Sequence, residues 1–517
     1  MTDSGVRLSE LLMALSLATD LGFGQPAEHM LRSARIGMRL GDRLGLERND
    51  LADVYDVNLL MYGGCQVYGN DAAKLFGDDI DFRSNAIKVD LAGLPGMRFM
   101  LGRAGAGGSV AHRVRVASGF MASRGQGVLE QMADHCAAAG ELAHRLGLSP
   151  GVRAGVEQTY ARWDGKGWPQ GLAGEAVAIP ARITHVAEAC EVFQRLGGVD
   201  GALEMVQARR GTQFDPQLVD IVRSDAKNLF DEIDENTFEE VLDAEPFERP
   251  MLTDDELDRC LEAIGDFCDM RCPYFAGHSQ GTAELVAAAA PLLNLPAAEV
   301  TLARRAALVH DLGRFGVPGT IWDKDGPLTN TERERMRMHV YYVERIFTRP
   351  EPLKRIGLLA ATHHERMDGS GYHRGVGATM LSTSARVLAA ADAFQAMTQP
   401  RPYRAAIDPA DAARRLRLEA DEGRLDPAAA DAVLSAAGQT SNRSRAGGPA
   451  GLTARESEVL ALLTEGLPNK AIAQRLQISA KTVGSHVEHI YTKLGVTNRA
   501  GAAMRAMEYG VVGVLPV

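Results

Sequence analysis

Between His278 and Arg404 the 517-residue chain places six of its thirteen histidines. Five of them, with two aspartates, make one candidate set: His278, the adjacent His310-Asp311, His339, the adjacent His363-His364, and Asp392. Mixed imidazole and carboxylate ligands suit manganese, iron, zinc, cobalt or nickel, and binding a divalent ion offsets the cost of burying so many polar groups. An aspartate among histidines can bridge two ions. Two ions about 3.5 to 4 Å apart both activate a water and stabilise the departing oxygen in phosphoester hydrolysis.

The elements that must position these ligands read as helices. Most ligands sit in or beside an apolar helical pattern, as in ALVHDLG and GLLAATHHE. Neighbouring residues on one helix lie about 100° apart, so a His-Asp pair on one helix and a His-His pair on another can reach a common interior, although no single helix could supply them all. The segment RFGVPGTIWDKDGPLT at 314–329 is turn-rich, and Gly313, Gly316 and Gly319 are expected to let the backbone pass close to a metal centre or a phosphate. Thr329 with Glu332 then opens the helix that carries His339, and 368–377 forms a rim opposite. On or near that rim Tyr372 is a candidate to stack on a base, and Arg401 and Arg404 are candidates to meet phosphate.

HHERMDGSGYHRG at 363–375, ARVLAAADAF at 385–394 and RPYR at 401–404 together resemble the HD-GYP subfamily of HD-domain phosphohydrolases. The resemblance implies an all-helical unit, two or three bound metals and hydrolysis of cyclic di-GMP. It implies one ion held by His278, His310, Asp311 and Asp392, and a second held by Asp311, His339, His363 and His364. Asp311 would also orient the attacking hydroxide, and Arg314 stands where the subfamily has a catalytic lysine. That exchange keeps a cation but replaces a compact ammonium with a planar fork. His373 stands in place of the proline of the GYP triplet, and Tyr274 where three-metal members have a glutamate, so two divalent ions are expected.

A second copy of this unit precedes it. His29 to Met61, His135 to Asp164 and Asp164 to Glu188 repeat the spacings of His278 to His310, His339 to Asp368 and Asp368 to Asp392, and WDGKGWPQGLAGEAVAIPARITHVAEA at 163–189 repeats the signature. Its chemistry is lost: Met61-Tyr62 and Thr159-Tyr160 replace the paired ligands, leaving His29, His135 and Glu188. Such a remnant could sense a ligand, pair with the second copy as an internal pseudo-dimer, or bury its partner's apolar face. An insertion near 66–125 separates Tyr62 from His135, and its GRAGAGG run at 102–108 lacks the context of a phosphate loop and reads as a mobile loop or lid.

The predicted organisation is all-α. A degenerate HD-GYP-like domain (1–225) is followed by an acidic connector read as a solvated helix (226–252), a metal-binding HD-GYP-like domain (253–436), a flexible linker (437–450) and a helix-turn-helix domain (451–517). With 45% hydrophobic residues the chain can bury several cores. The six cysteines lack CxxC spacing, residues 8–21 read as a helix rather than a signal peptide, and no apolar run is long enough to span a membrane. A reduced, cytoplasmic setting is expected. The formal charge is −11, to which residues 451–517 contribute seven Lys/Arg against five Asp/Glu, so an acidic body directs any nucleic-acid contact to the tail.

In that tail Thr453 with Glu456 caps a first helix, Asn469 opens a second, and Ser479 caps a third whose Val483, Val487, Ile490 and Leu494 share one face. The other face shows Lys481, Thr482, Ser485, His486 and His489, suited to a DNA major groove. LTARESEVLALLTEGLPNKAIAQRL and ISAKTVGSHVEHIYTKLGVTNRA resemble the LuxR-type DNA-binding domain. That resemblance implies a recognition helix near 480–494, a further helix after Asn498 that pairs two modules in a homodimer, and double-stranded DNA as partner. Gly484 departs from the basic residue frequent there. Two functions follow. One is a transcriptional regulator whose metal-binding body responds to or hydrolyses a cyclic dinucleotide or other small phosphorylated ligand. The other is primarily a phosphodiesterase tuned or localised by DNA binding.

Overall fold

The computed structural model describes residues 4–67, 69–123, 125–233, 237–439, 452–464, 467–496, 498–499, 502 and 505–506. Among these residues there are helices and turns but no strand beyond two isolated bridges. The chain divides into a unit of residues 1–439 and a unit of residues 440–517.

Helices recur in the same order through the larger unit. His29–Leu44, Arg48–Leu60, Gln126–Arg145 and Pro150–Glu157 correspond to His278–Ala289, Ala297–Val309, Asn330–Thr348 and Lys354–Ala360. The long helix Ile179–Ala208 corresponds to Thr383–Thr398. One apolar core runs through both copies, from Val6 to Leu434, so each copy buries surface against the other. The amino-terminal helix Leu8–Gly22 is almost wholly buried and packs on Arg48–Leu60 as well as on the second copy's Leu312–Gly316 and Asn330–Thr348.

Both copies start their histidine-bearing helix with the same device, nine residues before the histidine. Asp20 Oδ1 accepts the N–H of Met30 at 3.2 Å, and Asp269 accepts the N–H and hydroxyl of Ser279, both at 2.8 Å. A buried carboxylate at a helix start satisfies otherwise unpaired N–H groups and fixes the histidine's direction. The capping boxes expected at Thr253/Glu256 and Thr329/Glu332 form at the starts of Asp254–Asp269 and Asn330–Thr348.

Two expectations change. The segment after Asn228 is not a solvated helix: Phe230, Ile233, Phe238 and Val241 are buried, and the short helix Thr237–Asp243 packs on His29–Leu44 with Arg35 paired to Glu240. Its acidic residues mask an apolar face that the first copy needs covered. The insertion is likewise built of helices, at Gly69–Phe76, Asp79–Ala86, Gly93–Arg103 and Val110–Ala122, and the glycine run is the turn between the last two. A stacked pair, Phe76 and Phe82, holds the first two together. The linker expected at 437–450 lies, from residue 440 on, outside the described residues.

The insertion also ties the copies together. Asp79, fully buried, receives Arg83 at 2.8 Å and Arg271 of the second copy at 2.9 Å, and its other oxygen accepts the N–H of Gly319 at 2.7 Å. Two cations and a backbone donor together hold the Asp79 carboxyl below its usual range although burial would raise it.

In the smaller unit Ala454–Thr464, Asn469–Leu476 and Ala480–Leu494 enclose Leu452, Val459, Leu460, Ile472, Val483, Ile490 and Leu494. Ser479 Oγ accepts the N–H of Thr482 at 3.0 Å, as its N-cap position requires. The turn before it uses Gln477 in the left-handed region, φ 55°.

Replacing Asp79 by alanine leaves Arg83 and Arg271 buried without their counter-charge, so Asp79→Ala should lower unfolding stability by about 3 to 5 kcal/mol. Urea denaturation followed by circular dichroism checks this. An unchanged midpoint would mean that the two copies do not depend on the pair.

Candidate metal centre

Five helices and one short turn bring the seven candidate ligands to a common interior. His278 is the first residue of its helix, His310 follows the last turn of Ala297–Val309, and Asp311 leads directly into the turn Leu312–Gly316. His339 lies mid-helix, His363 and His364 follow Lys354–Ala360, and Asp392 lies mid-helix in Thr383–Thr398. All are buried except His364, which is partly open to the rim.

Asp311 is the point of convergence. Its Oδ2 lies 3.4 Å from His278 Nε2 and 3.0 Å from His310 Nε2, and its Oδ1 lies 3.6 Å from His339 Nε2 and 3.7 Å from His363 Nε2. Asp392 closes the other side, with Oδ1 3.2 Å from His278 and Oδ2 3.6 Å from His364 Nδ1. The ligand atoms fall into two triads, His278-His310-Asp311 and His339-His363-His364, each spanning no more than 4.8 Å.

The outward ring nitrogens are already committed. Nδ1 of His310, His339 and His363 donates to the carbonyls of Ala307, Met336 and Ala360 at 2.7, 2.5 and 2.7 Å, and Nδ1 of His278 donates to Gln399 Oε1 at 3.0 Å. Such bonds set the tautomer and aim a bare Nε2 inward. Two of these acceptor nitrogens, on His339 and His363, then face each other at 3.2 Å.

That arrangement fits a cation. Both Asp311 oxygens and His310 Nε2 are buried within ion-pair distance of neighbours, yet none is aligned for a hydrogen bond. Burial leaves His339 neutral, lowered to about 4, and His363 to about 3; it pushes His364 well below the usual range. For His310 burial also favours neutrality, but Asp311 and Asp392 pull it up to about 10. Burial alone would raise the Asp311 carboxyl, whereas Arg314 and His310 hold it well below the usual range. The neutral imidazoles of His339, His363 and His364 beside ionised Asp311 and Asp392 are donors that divalent ions prefer. His310 would release its proton to an ion that takes over the pull of the two carboxylates.

Arg314 reaches Asp311 Oδ2 directly and lies over Phe275, 3.8 Å from the ring centre, with Trp322 set edge-on beside that ring and 5.5 Å from the guanidinium. Its Nε and Nη1 have no hydrogen-bond partner. Tyr372 stands 4.8 Å from the His364 ring. Arg401 donates to the Tyr274 carbonyl at 2.7 Å and shares the Phe275 face, and burial followed by the Arg314 charge lowers it to about 10. Arg404 is occupied differently: it donates to the carbonyls of Ala396, Met397, Gln399 and Ala405, closing the end of the Asp392 helix.

The glycines serve packing more than ligand access. A Cβ on Gly313 would sit 1.9 Å from the His339 carbonyl, so glycine here lets the turn lie against the His339 helix, and Gly316 packs likewise on Tyr342. Sequence reading missed Gln399 and Glu365. The first orients His278; the second, buried directly after the His-His pair, accepts the N–H groups of Arg374 and Val376 at 2.9 and 3.0 Å and so shapes the rim. The departing His373 is bound to Glu344 at 3.1 Å.

The first copy keeps the frame without the ligands. His29 pairs with Glu191 at 2.5 Å, and Glu191 also holds Arg32 at 2.8 Å. His135 donates from Nε2 to the Val67 carbonyl at 3.1 Å and faces the Tyr160 hydroxyl at 3.2 Å, while Tyr160 also meets Cys65 Sγ at 2.8 Å. Proton-bearing phenols stand where metal ligands would be needed.

In the smaller unit Lys481, Thr482, Ser485 and His489 are exposed, and His486, at the border of the face that buries Val483 and Ile490, is partly so. The helix expected after Asn498 lies almost wholly outside the described residues.

Removing the His278 support should loosen the site without removing a ligand. Gln399→Ala is expected to weaken manganese binding about 10- to 100-fold, measured by isothermal titration calorimetry; an unchanged affinity would show that His278 needs no orienting partner.

Residues 128–218 and 262–429 match the HD domain family, and residues 450–506 match the luxR family of bacterial regulatory proteins. The chain is 32% identical over 425 residues to 3′3′-cGAMP-specific phosphodiesterase 3 of Vibrio cholerae, covering 81% of this chain and 92% of that one. It is 35% identical over 153 residues to a cyclic di-GMP phosphodiesterase of Thermotoga maritima, covering 29% of this chain and 42% of that one. A crystal structure of a cyclic GMP-AMP-specific phosphodiesterase from V. cholerae superposes with a TM-score of 0.58 at 29% identity, covering 84% of this chain and 98% of that one. With its helices in that order, its histidines and aspartates converging and a helix-turn-helix at its end, the chain belongs to the HD-domain phosphohydrolases of the HD-GYP kind, fused to a luxR-family DNA-binding domain.

Proposed function

We propose that the second HD unit hydrolyses a 3′3′-linked cyclic dinucleotide with two divalent ions, and that the luxR-family domain turns the presence of that ligand into a change in transcription. The observation that carries the reading is the complete set of seven ligands, among which the two oxygens of Asp311 face separate histidine groups. His278, His310, Asp311 and Asp392 would hold one ion, and Asp311, His339, His363 and His364 the other. Such ions supply the charge that polarises a phosphodiester and makes a nucleophile available at neutral pH.

The chain's own residues define the rest. Arg314, held against Asp311 and stacked on Phe275, keeps two N–H groups free for a non-bridging phosphate oxygen. Tyr372 offers a ring beside His364 on which a base can stack. Arg401 adds a second cation next to Arg314. Arg404 acts as a positioning residue, because its donors hold the end of the Asp392 helix. Substrate class comes from the relatives, which are named for 3′3′-cGAMP and cyclic di-GMP.

Lys481, Thr482, Ser485, His486 and His489 form the DNA-facing side, and two chains would present two such helices to paired half-sites as a homodimer. No helix of the described residues is long and apolar enough to cross a membrane.

Asp311→Ala should abolish both manganese retention, read by elemental analysis, and hydrolysis of cyclic di-GMP and 3′3′-cGAMP. Retained metal would move the ion pair elsewhere. Lys481→Ala should weaken promoter binding in a fluorescence titration at fixed salt, roughly uniformly across sequences, and leave metal content unchanged; undiminished affinity would remove the assigned DNA face.

A further inference from the structure

The first copy holds a cavity of about 880 Å³ at the place where the second has its metal centre, for Tyr62, His135, Thr159, Tyr160 and Glu188 all line it. Much of its wall comes from the inserted helices, which have no counterpart in the second copy: Phe76, Phe82, Met97, Met100 and Phe120 line it, joined by Met132 of the helix Gln126–Arg145. The volume lies within the range of about 300 to 1,000 Å³ typical of small-molecule sites. Methionines adapt to an apolar guest and aromatic rings give it broad contact.

Charge in the cavity is largely spent. Arg162 is held by Asp90 at 2.6 Å and by Asp164 at 3.1 Å. Arg83 gives Nη1 to Asp79 and to the Gly22 carbonyl, but its buried Nη2 has no partner. A ligand with two phosphates would find one unpartnered guanidinium nitrogen; a ligand with one anionic group would satisfy it.

We propose that this cavity binds a predominantly apolar small molecule with one anionic group, its body against the phenylalanine and methionine wall and its anion at Arg83 Nη2. Occupancy is felt in the second copy, because Arg83 and Arg271 share the Asp79 carboxylate. Arg271 in turn donates to the Val317 carbonyl, and Asp79 accepts from Gly319, on the segment that begins with Arg314 beside Asp311. A guest that draws Arg83 from Asp79 alters how that segment is held. The binding claim stands apart from the hydrolytic reading; only the coupling rests on it.

The test uses the full chain and 1-anilinonaphthalene-8-sulfonate, an apolar aromatic carrying a single sulfonate, with laurate as competitor. Saturable binding of the dye at a single site is expected, displaced by laurate and not by cyclic di-GMP. Ala86→Trp and Val128→Trp, which fill the cavity from two different helices, should each weaken it by about tenfold or more with unchanged helical circular dichroism. Dye binding that persists at full affinity in both folded variants, or that cyclic di-GMP displaces and laurate does not, overturns the site. Saturating laurate should also shift manganese affinity by about threefold or more. Manganese binding unaffected by laurate overturns the coupling, whereas failure of manganese to bind at all, with dye binding intact, counts against the metal reading alone.

Discussion

A single buried carboxylate constrains the second HD unit. Asp311 is 1% exposed, and an ionised group so far from water must be answered by cations or donors aimed at it. Four imidazoles and one guanidinium surround it, but three of the unit's histidines are held neutral by burial, so Arg314 and His310 carry the positive charge that the residues themselves supply. The remaining lone pairs, turned inward by carbonyls behind each ring, are stable together only with further positive charge among them. Helix ends meet at this point because the fold must deliver ligands from several elements at once.

The first copy shows what happens when that demand is removed. Its helices keep their order and even the aspartate cap before the histidine, since those features serve packing. With tyrosines at the paired-ligand positions, the interior no longer needs an ion, and His29 finds its counter-charge in Glu191 instead. Space that chemistry once organised is lined by apolar side chains from an insertion, and the same insertion supplies the Asp79 that locks onto the second copy.

Much of this was legible in the chain. Ligand types and spacing marked the site, matching intervals exposed the duplication, and the Ser/Thr-x-x-Glu pairs located helix starts, because each depends on local geometry or on periodicity. What could not be read depends on contacts between distant residues. Gln399 carries no motif, yet it sets the direction of His278 across 121 positions. The apolar residues within the acidic run after Asn228 could be seen, but not that they pack against the helix His29–Leu44, and the glycines after Asp311 gave no sign that they faced a helix instead of a ligand. Asp79 and Arg271 form one buried pair from two copies, a relation visible only once the chain is folded.

The central claim is that Asp311 stands between two ions. Anomalous diffraction at the manganese edge, from crystals of the full chain grown with manganese, tests it most directly. Two peaks flanking the Asp311 carboxylate, one towards His278 and His310 and the other towards His339 and His363, are the expected result. A single peak that Asp311 does not touch, or none in the second HD unit, would contradict it.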